Sequence, residues 1–504
     1  MFLCKMPDKT DCFLSREEPV MSLDATRIPR NARIAIIGAG PAGLSAAWFL
    51  EKHGFENVTV LEKLGRVGGL CKSITIKGMS YDLGANYLTW AYEETLKIAD
   101  EVGADTYKEL PYTSIEVNEE GTSARYRPIE EAVLYNPLTK KKIPFYSFMW
   151  TAIRYFFIRL GLSDVIDCPD YLAKINKRTH PELCKSFRDW LVDNDLDDLT
   201  SLLEFPITIM GYGQLRHIAT PYALRYMSPK TFFPMVAPHI PLIGPILEIF
   251  LPWPRRFITG FQRLWERVAW RTNVRQNIKI KSIKRNESGT DAPFVIDFDY
   301  LQQELNTVEA APGTMHFDYL VMACPLTQDI YDQLNLKRTP GEAIFDRIHV
   351  HPYCMTTYWV DDMDMPQPIA PVLPLSPLGK PWAVARQFQH KGNKFTQFYT
   401  RTRESQTIEE MNEDERNVKE EVKKLIGLLG GKIDDTHSRW HSYDRFTYFQ
   451  HVEVEDIADG FYEKLAELQG KDRTFYVGGA TDFELVEPIV QHSKHLVEKH
   501  FVGD

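Results

Sequence analysis

The chain has 504 residues, 44% hydrophobic and 25% charged, with a formal net charge of -10. That length is enough for several domains around a large core, and the acidic balance, with no long basic run, excludes a nucleic-acid partner. Seven cysteines, an odd number with no C-x-x-C pair, predict reduced thiols and a cytoplasmic location.

Residues 1–30 mix Lys5, Asp8, Lys9, Asp11, Arg16, Glu17 and Glu18 without an apolar run, so they read as an extension and not as a signal peptide; Met21 offers a second start. An apolar strand, Ile34 to Ile37, then meets Gly38, Gly40 and Gly43, and a helix-forming stretch follows from Leu44 to Lys52. This is G-x-G-x-x-G in a strand-turn-helix context, the pattern of a dinucleotide site. Gly38 permits the tight turn, Gly40 lets a pyrophosphate approach the backbone, and Gly43 lets helix and strand pack closely. A second strand, Val58 to Leu61, delivers Glu62, whose carboxylate suits a ribose diol and repels a 2'-phosphate.

Seven residues after Glu62 the chain carries a second glycine pair, Gly68-Gly69, with Arg66 beside it. This E-K-x-G-R-x-G-G stretch resembles the flavin amine oxidase superfamily, and so does Tyr81-Asp82-Leu83-Gly84-Ala85-Asn86. The resemblance implies FAD as cofactor, with the Gly84–Asn86 segment beside the isoalloxazine ring.

Farther on, Tyr92 to Val102 is helix-like, and the text from Gly103 to Tyr126 turns strand-like. Phe145 to Leu162 is the most apolar stretch. It is short for a membrane span and holds Arg154 and Arg159, so a buried or cap helix is favoured over a helix in peripheral contact with a membrane through 145–162. Phe187 to Leu203 is also helix-like. Five prolines in Phe232 to Trp253 rule out a continuous spanning helix and predict an irregular apolar lid.

After Pro254, a helix opens at Phe257 to Leu264, Val274 to Ile283 alternates as one strand, and Phe317 to Pro325 reads as another. These resemble the superfamily's returning segments, which places the Ile280 backbone at adenine. Between 340 and 470, strand-type runs at Tyr353–Val360 and Phe395–Thr402 flank a charged helix, Ile408 to Leu429. Tyr448 to Val452 is unusually aromatic. Arg473 to Leu496 resembles the C-terminal flavin-contacting strand and helix, although Gly479 stands where many members place an acid toward the ribityl chain. Backbone donors near Glu487 are expected to face the cofactor.

Taken together, GAGPAGLSAAWFLE, GYGQLRHIATPYALRYM, YFQHVEVEDIADGFYEKLAELQG and RTFYVGG resemble the polyenoic fatty acid isomerase and fungal beta-cyclopiazonate dehydrogenase types of FAD oxidoreductase. The implied fold is α/β: a Rossmann-like, doubly wound FAD-binding domain (31–112, 255–335 and 471–504), a mixed-sheet substrate domain (113–142 and 336–470) and a helical cap (143–254). The implied cofactor contacts are Gly38, Gly40, Pro41, Ala42, Gly43, Glu62, Lys63, Arg66, Gly69, Gly84, Ala85, Asn86, Ile280, Gly478, Gly479 and Glu487. One departure counts against a fatty-acid substrate: Gly103 to Gly121 contains Lys108 but no arginine, and Thr113 and Ser114 stand where the isomerase has its carboxylate anchor.

G-x-S-x-G, H-E-x-x-H and EF-hand patterns are absent, which removes the usual signatures of nucleophilic and metal-assisted hydrolysis. His349 and His351 lie two apart on a strand with no third ligand at suitable spacing, so no metal is expected. His217, Tyr448 and His451 are the candidate catalytic side chains, with the chemistry assigned to the flavin. The expectation is hydride abstraction from an allylic or amine-adjacent C–H of a lipophilic small molecule, in secondary metabolism and with no required protein partner. Two alternatives stay open: redox-neutral isomerisation of a polyunsaturated fatty acid, and a flavin-free binding protein like the GDP dissociation inhibitors.

Overall fold

A computed structural model describes residues 28–108, 113–136, 141–237, 254–285, 292–304, 307–373, 377–388, 392–404 and 407–503. Nearly all of the N-terminal extension and the 238–253 part of the apolar lid therefore lie outside the described residues.

One five-stranded sheet runs in the order 274–275, 57–61, 33–37, 319–322 and 474–476, with every pairing parallel. Its central strand, Arg33–Ile37, buries Ile34, Ala35 and Ile36 completely. A parallel strand covered on both faces needs that continuous apolar run. Helix Pro41–Lys52 lies against the C-terminal helix Val486–Leu496, where Ser493 Oγ reaches the Ala42 carbonyl at 3.3 Å.

A second, mixed sheet has the order 432–433, 349–361, 395–401, 381–385, 369–373, 113–117 and 124–128, with 442–451 pairing along 349–361. Its pairings are antiparallel except 369–373 with 113–117. Helix Ile408–Leu428 buries Val418, Val422 and Ile426 against it, and Thr407 and Glu410 close its start as a capping box.

Three elements depart from the sequence expectation. Val274–Ile283 is not one strand: Val274–Arg275 joins the parallel sheet, and Ile278–Arg285 opens a three-stranded antiparallel meander. Asn277, at φ 58°, makes the break, a conformation that asparagine tolerates. Phe187–Leu203 likewise splits into Phe187–Asp193 and Thr200–Ile209, with Asp195 at φ 51° between them. The start of the proline-rich stretch is helical: Pro229–Val236 accommodates Pro234 inside it. Proline removes the donor that would reach the Lys230 carbonyl, and the Trp90 indole N–H takes its place there.

Helix Phe145–Gly161 is two-sided. Phe148, Ala152, Tyr155 and Arg159 are buried, while Tyr146, Trp150, Ile153, Phe157 and Leu160 form an exposed apolar stripe. Arg159, 0% exposed, donates to the Leu224 carbonyl at 2.8 Å and pairs with Asp167, so its charge is satisfied by protein. Among the described residues no helix is long and apolar enough to cross a membrane.

Candidate active site

The glycine turns meet at the C-terminal edge of the parallel sheet, the edge where open α/β sheets bind ligands. A Cβ on Gly43 would fall 2.0 Å from the Gly38 carbonyl oxygen, and one on Gly38 would fall 2.9 Å from that of Ala323. Helix 41–52 starts at Gly40 with no side-chain cap and no acid in its first turn. Its free N–H groups are thus available to an anion, with Pro41 supplying the turn into the helix and Ala42 the wall beside it.

Glu62 lies at the end of the neighbouring strand, 8% exposed. It accepts the Ala39 N–H and the Leu64 N–H, each at 2.8 Å, which fixes the carboxylate beside the turn and leaves it acceptor capacity. Lys63 next to it is exposed. Arg66 Nη1 holds the Gly69 carbonyl at 3.0 Å, and a Cβ on Gly69 would come 3.0 Å from the Gly40 Cα. The second glycine pair is therefore in the same cradle as the first. The 83–85 segment joins it through Ala85 N to Leu70 O at 3.2 Å and Leu83 N to Lys72 O at 2.8 Å.

The remaining predicted contacts distribute unevenly. Ile278 N donates to the Glu62 carbonyl at 2.8 Å, so the strand that carries Ile280 leaves from beside the ribose acid. Gly478, at φ 133°, has Ala42 as its nearest neighbour, 3.9 Å from the position of an added Cβ. The Glu487 side chain faces elsewhere: it accepts the N–H groups of Glu94 and Thr95 and caps the helix Glu93–Glu101.

Opposite the cradle stands one face of the mixed sheet. Asn86 Nδ2 donates to the Tyr399 hydroxyl at 2.8 Å, and Gln397 Nε2 to the Asp82 carbonyl at 2.7 Å, so strand 395–401 turns its odd-numbered residues toward the glycine-rich segments. Tyr399 neighbours Tyr353 (ring centroids 6.0 Å), Tyr353 neighbours Tyr448 (5.9 Å), and Tyr448 stacks on Tyr212 (5.6 Å, 28°). Gly211 and Gly213 bring the cap turn onto this wall, since a Cβ on Gly211 would come 3.0 Å from the Tyr448 ring.

Burial holds the Tyr448 phenol well above its ordinary value. His451 stacks on Phe449 (4.5 Å, 6°) and donates from Nδ1 to the Phe449 carbonyl at 2.7 Å; burial pushes it down to about 4. Both are neutral near pH 7. His217 is exposed at the margin, lowered by partial burial and by Arg216 and Arg401. The His349–His351 pair gains a neighbour, as the His451 ring lies 6.1 Å and 4.4 Å from theirs. Strand pairing is irregular between those two positions.

Sequence reasoning missed Glu484. Its carboxylate is 7% exposed and accepts the Gln450 N–H at 2.5 Å, joining the Gly478-Gly479 turn to the end of strand 442–451. A Cβ on Gly479 would fall 2.7 Å from this carboxyl carbon. Burial, opposed by the Gln450 and Phe449 N–H groups, pushes it up to about 7. The acid lacking at Gly479 thus has a carboxylate beside it from five residues on, and spacing gave no signal of that fold-back.

The NAD(P)-binding Rossmann-like domain family matches residues 36–102. The chain is 42% identical over 79 residues to protoporphyrinogen oxidase 2 of Arabidopsis thaliana (16% of this chain, 15% of that protein). It is 42% identical over 67 residues to polyenoic fatty acid isomerase of Ptilota filicina (13% of each) and 40% identical over 83 residues to putrescine oxidase of Kocuria rosea (16% of this chain, 17% of that one). The chain thus matches under a fifth of the length of these curated relatives. Over the whole fold, a CLA-producing fatty acid isomerase from P. acnes superposes with a TM-score of 0.70 at 23% identity, covering 94% of this chain and all of that one. Putrescine oxidase bound to putrescine gives 0.61 at 15% identity, covering 94% and 98%. The chain therefore has the amine-oxidase-like α/β fold, resembling the flavin amine oxidase superfamily, with its Rossmann-like match confined to residues 36–102.

Proposed function

We propose that the protein is an FAD-dependent oxidoreductase acting on an allylic or amine-adjacent C–H of a lipophilic small molecule. The observation that carries this reading is the meeting of the bare glycine cradle, the fixed Glu62 carboxylate and the aromatic face that contacts Asn86. The cradle fits a dinucleotide because the positions flanking it tolerate no side chain, and its helix start is left uncapped. Gly38, Gly40 and Gly69 would hold the pyrophosphate, Glu62 the ribose, and Gly84 to Asn86 with Gly478 and Gly479 the ring end. A flavin bound there supplies reversible hydride acceptance.

The chain's own contribution is position and dryness. Tyr399, Tyr353, Tyr448 and Tyr212 present an apolar wall, and the Gly211–Gly213 turn brings the cap onto it. Tyr448 and His451 are held neutral near pH 7. Dehydrogenation or oxidative cyclisation is one fate of the substrate. Redox-neutral double-bond migration is the other, and the whole-fold likeness to a fatty acid isomerase supports keeping it.

The test is anaerobic mixing of the purified yellow protein with substrate. Lasting loss of flavin absorbance with at most one product per flavin indicates oxidation; many turnovers with the flavin absorbance restored indicate isomerisation. A protein that stays colourless when FAD is supplied refutes the reading and favours a flavin-free binding protein.

A further inference from the structure

Two arginines beside helix 408–428 are paired. Arg403 and Arg445 both meet Asp414, at 3.3 Å and 3.5 Å. Arg401 has no ion pair or hydrogen bond from its guanidinium among the described residues, and its Nε is buried without a partner. Burial lowers it to about 10, with Glu404 the acid that opposes this, and the surrounding titratable groups are His217, His351 and His451. The nearest imidazoles are thus held neutral or bear like charge. A partly buried cation with no acid against it is costly unless something outside the chain completes it.

Its place in the sheet says what that partner is. Arg401 follows Tyr399 on the same face of the strand and pairs in register with Tyr353, so it continues the aromatic wall by about 7 Å, the rise of two residues. Tyr399 contacts Asn86 at one end of this face, while at the other the Gly213 turn lies against Arg401 Nη1 (3.0 Å from an added Cβ). We propose that Arg401 anchors the carboxylate of a lipophilic carboxylic-acid substrate, whose apolar part lies along Tyr353, Tyr399 and Tyr448. The inference deepens the flavoenzyme reading, on which the location of the reacting end rests.

The test is calorimetric titration of the purified protein with dodecanoate and with dodecan-1-ol, below micelle formation, for wild type, Arg401→Gln and Arg401→Lys. Wild type is expected to prefer the acid. Arg401→Gln is expected to lose roughly ten- to hundredfold in acid affinity, the range for a hydrogen bond to a charged group, with the alcohol unchanged. Arg401→Lys is expected to recover part of that loss. A wild type that binds acid no better than alcohol, or a Gln variant in which both ligands weaken together or neither does, overturns the proposal. Flavin absorbance of the same samples is read separately and decides the cofactor reading alone.

Discussion

Glutamine at position 484 isolates one buried carboxylate. The Glu484 carboxyl rises from an ordinary 4.5 to about 7, because burial penalises its charge more than the Gln450 and Phe449 N–H groups relieve it. Its folded-state proton affinity exceeds the unfolded one, so its contribution to stability is full below pH 4.5 and is lost as pH rises through about 7. At about 1.4 kcal/mol per tenfold change in affinity, the loss is about 3 kcal/mol. Glutamine keeps an oxygen that accepts both N–H groups and never ionises. Unfolding of wild type and Glu484→Gln, followed at a series of pH values from 4.5 to 8.5, is expected to show the variant gaining on wild type up to pH 7 and holding a constant lead above it. A difference that does not change with pH would refute the assignment of a buried, chargeable Glu484.

Other positions test separate parts of the structure. Gly69→Val forces a β-branched side chain into φ 51° and against the Gly40 Cα; the strain of about 1–2 kcal/mol is expected to weaken FAD binding roughly tenfold, read by flavin fluorescence. Glu342 is fully buried and receives Arg285 at 2.7 and 2.8 Å, with the Tyr331 and Tyr476 hydroxyls at 2.9 and 2.7 Å. Burial alone would raise it, yet Arg285 holds it down to about 2, so its stabilisation is present above pH 4.5 and lost as pH falls toward 2. Glu342→Gln is expected to cost about 3–5 kcal/mol, and Arg285→Met/Glu342→Met less than the two single changes added, measured as a double-mutant cycle. His451, neutral down to about pH 4, is expected to add no inflection to the pH–rate profile between 6 and 8; an inflection removed by His451→Gln contradicts its buried geometry. The exposed stripe of helix 145–161 makes the choice between cap helix and membrane contact testable: a cap helix is expected to leave wild type in the supernatant with zwitterionic vesicles, and sedimentation that is lost in Trp150→Ser/Phe157→Ser decides for membrane contact instead.

By itself the sequence determined the elements whose chemistry is local. Strand, glycine turn, helix and ribose acid are contiguous between Ile34 and Gly69, and a Cβ on Gly38, Gly43 or Gly69 would crowd backbone of that stretch or of Ala323, just past the strand beside it. Long amphipathic segments such as 408–428 were legible for the same reason, since a helix's period and cap are written in its own residues. Short breaks were not legible: Asn277 and Asp195 leave the regular conformation because the chain must change sheet or layer there, and no periodicity records that need. Only the tertiary structure decided what lies across the cradle. Pairing of 349–361 with 395–401 and 442–451 aligns Tyr353, Tyr399, Tyr448 and Arg401 from distant parts of the chain, and the fold-back of Glu484 fills the place beside Gly479. Those contacts depend on register and burial, and register is a property of two strands at once.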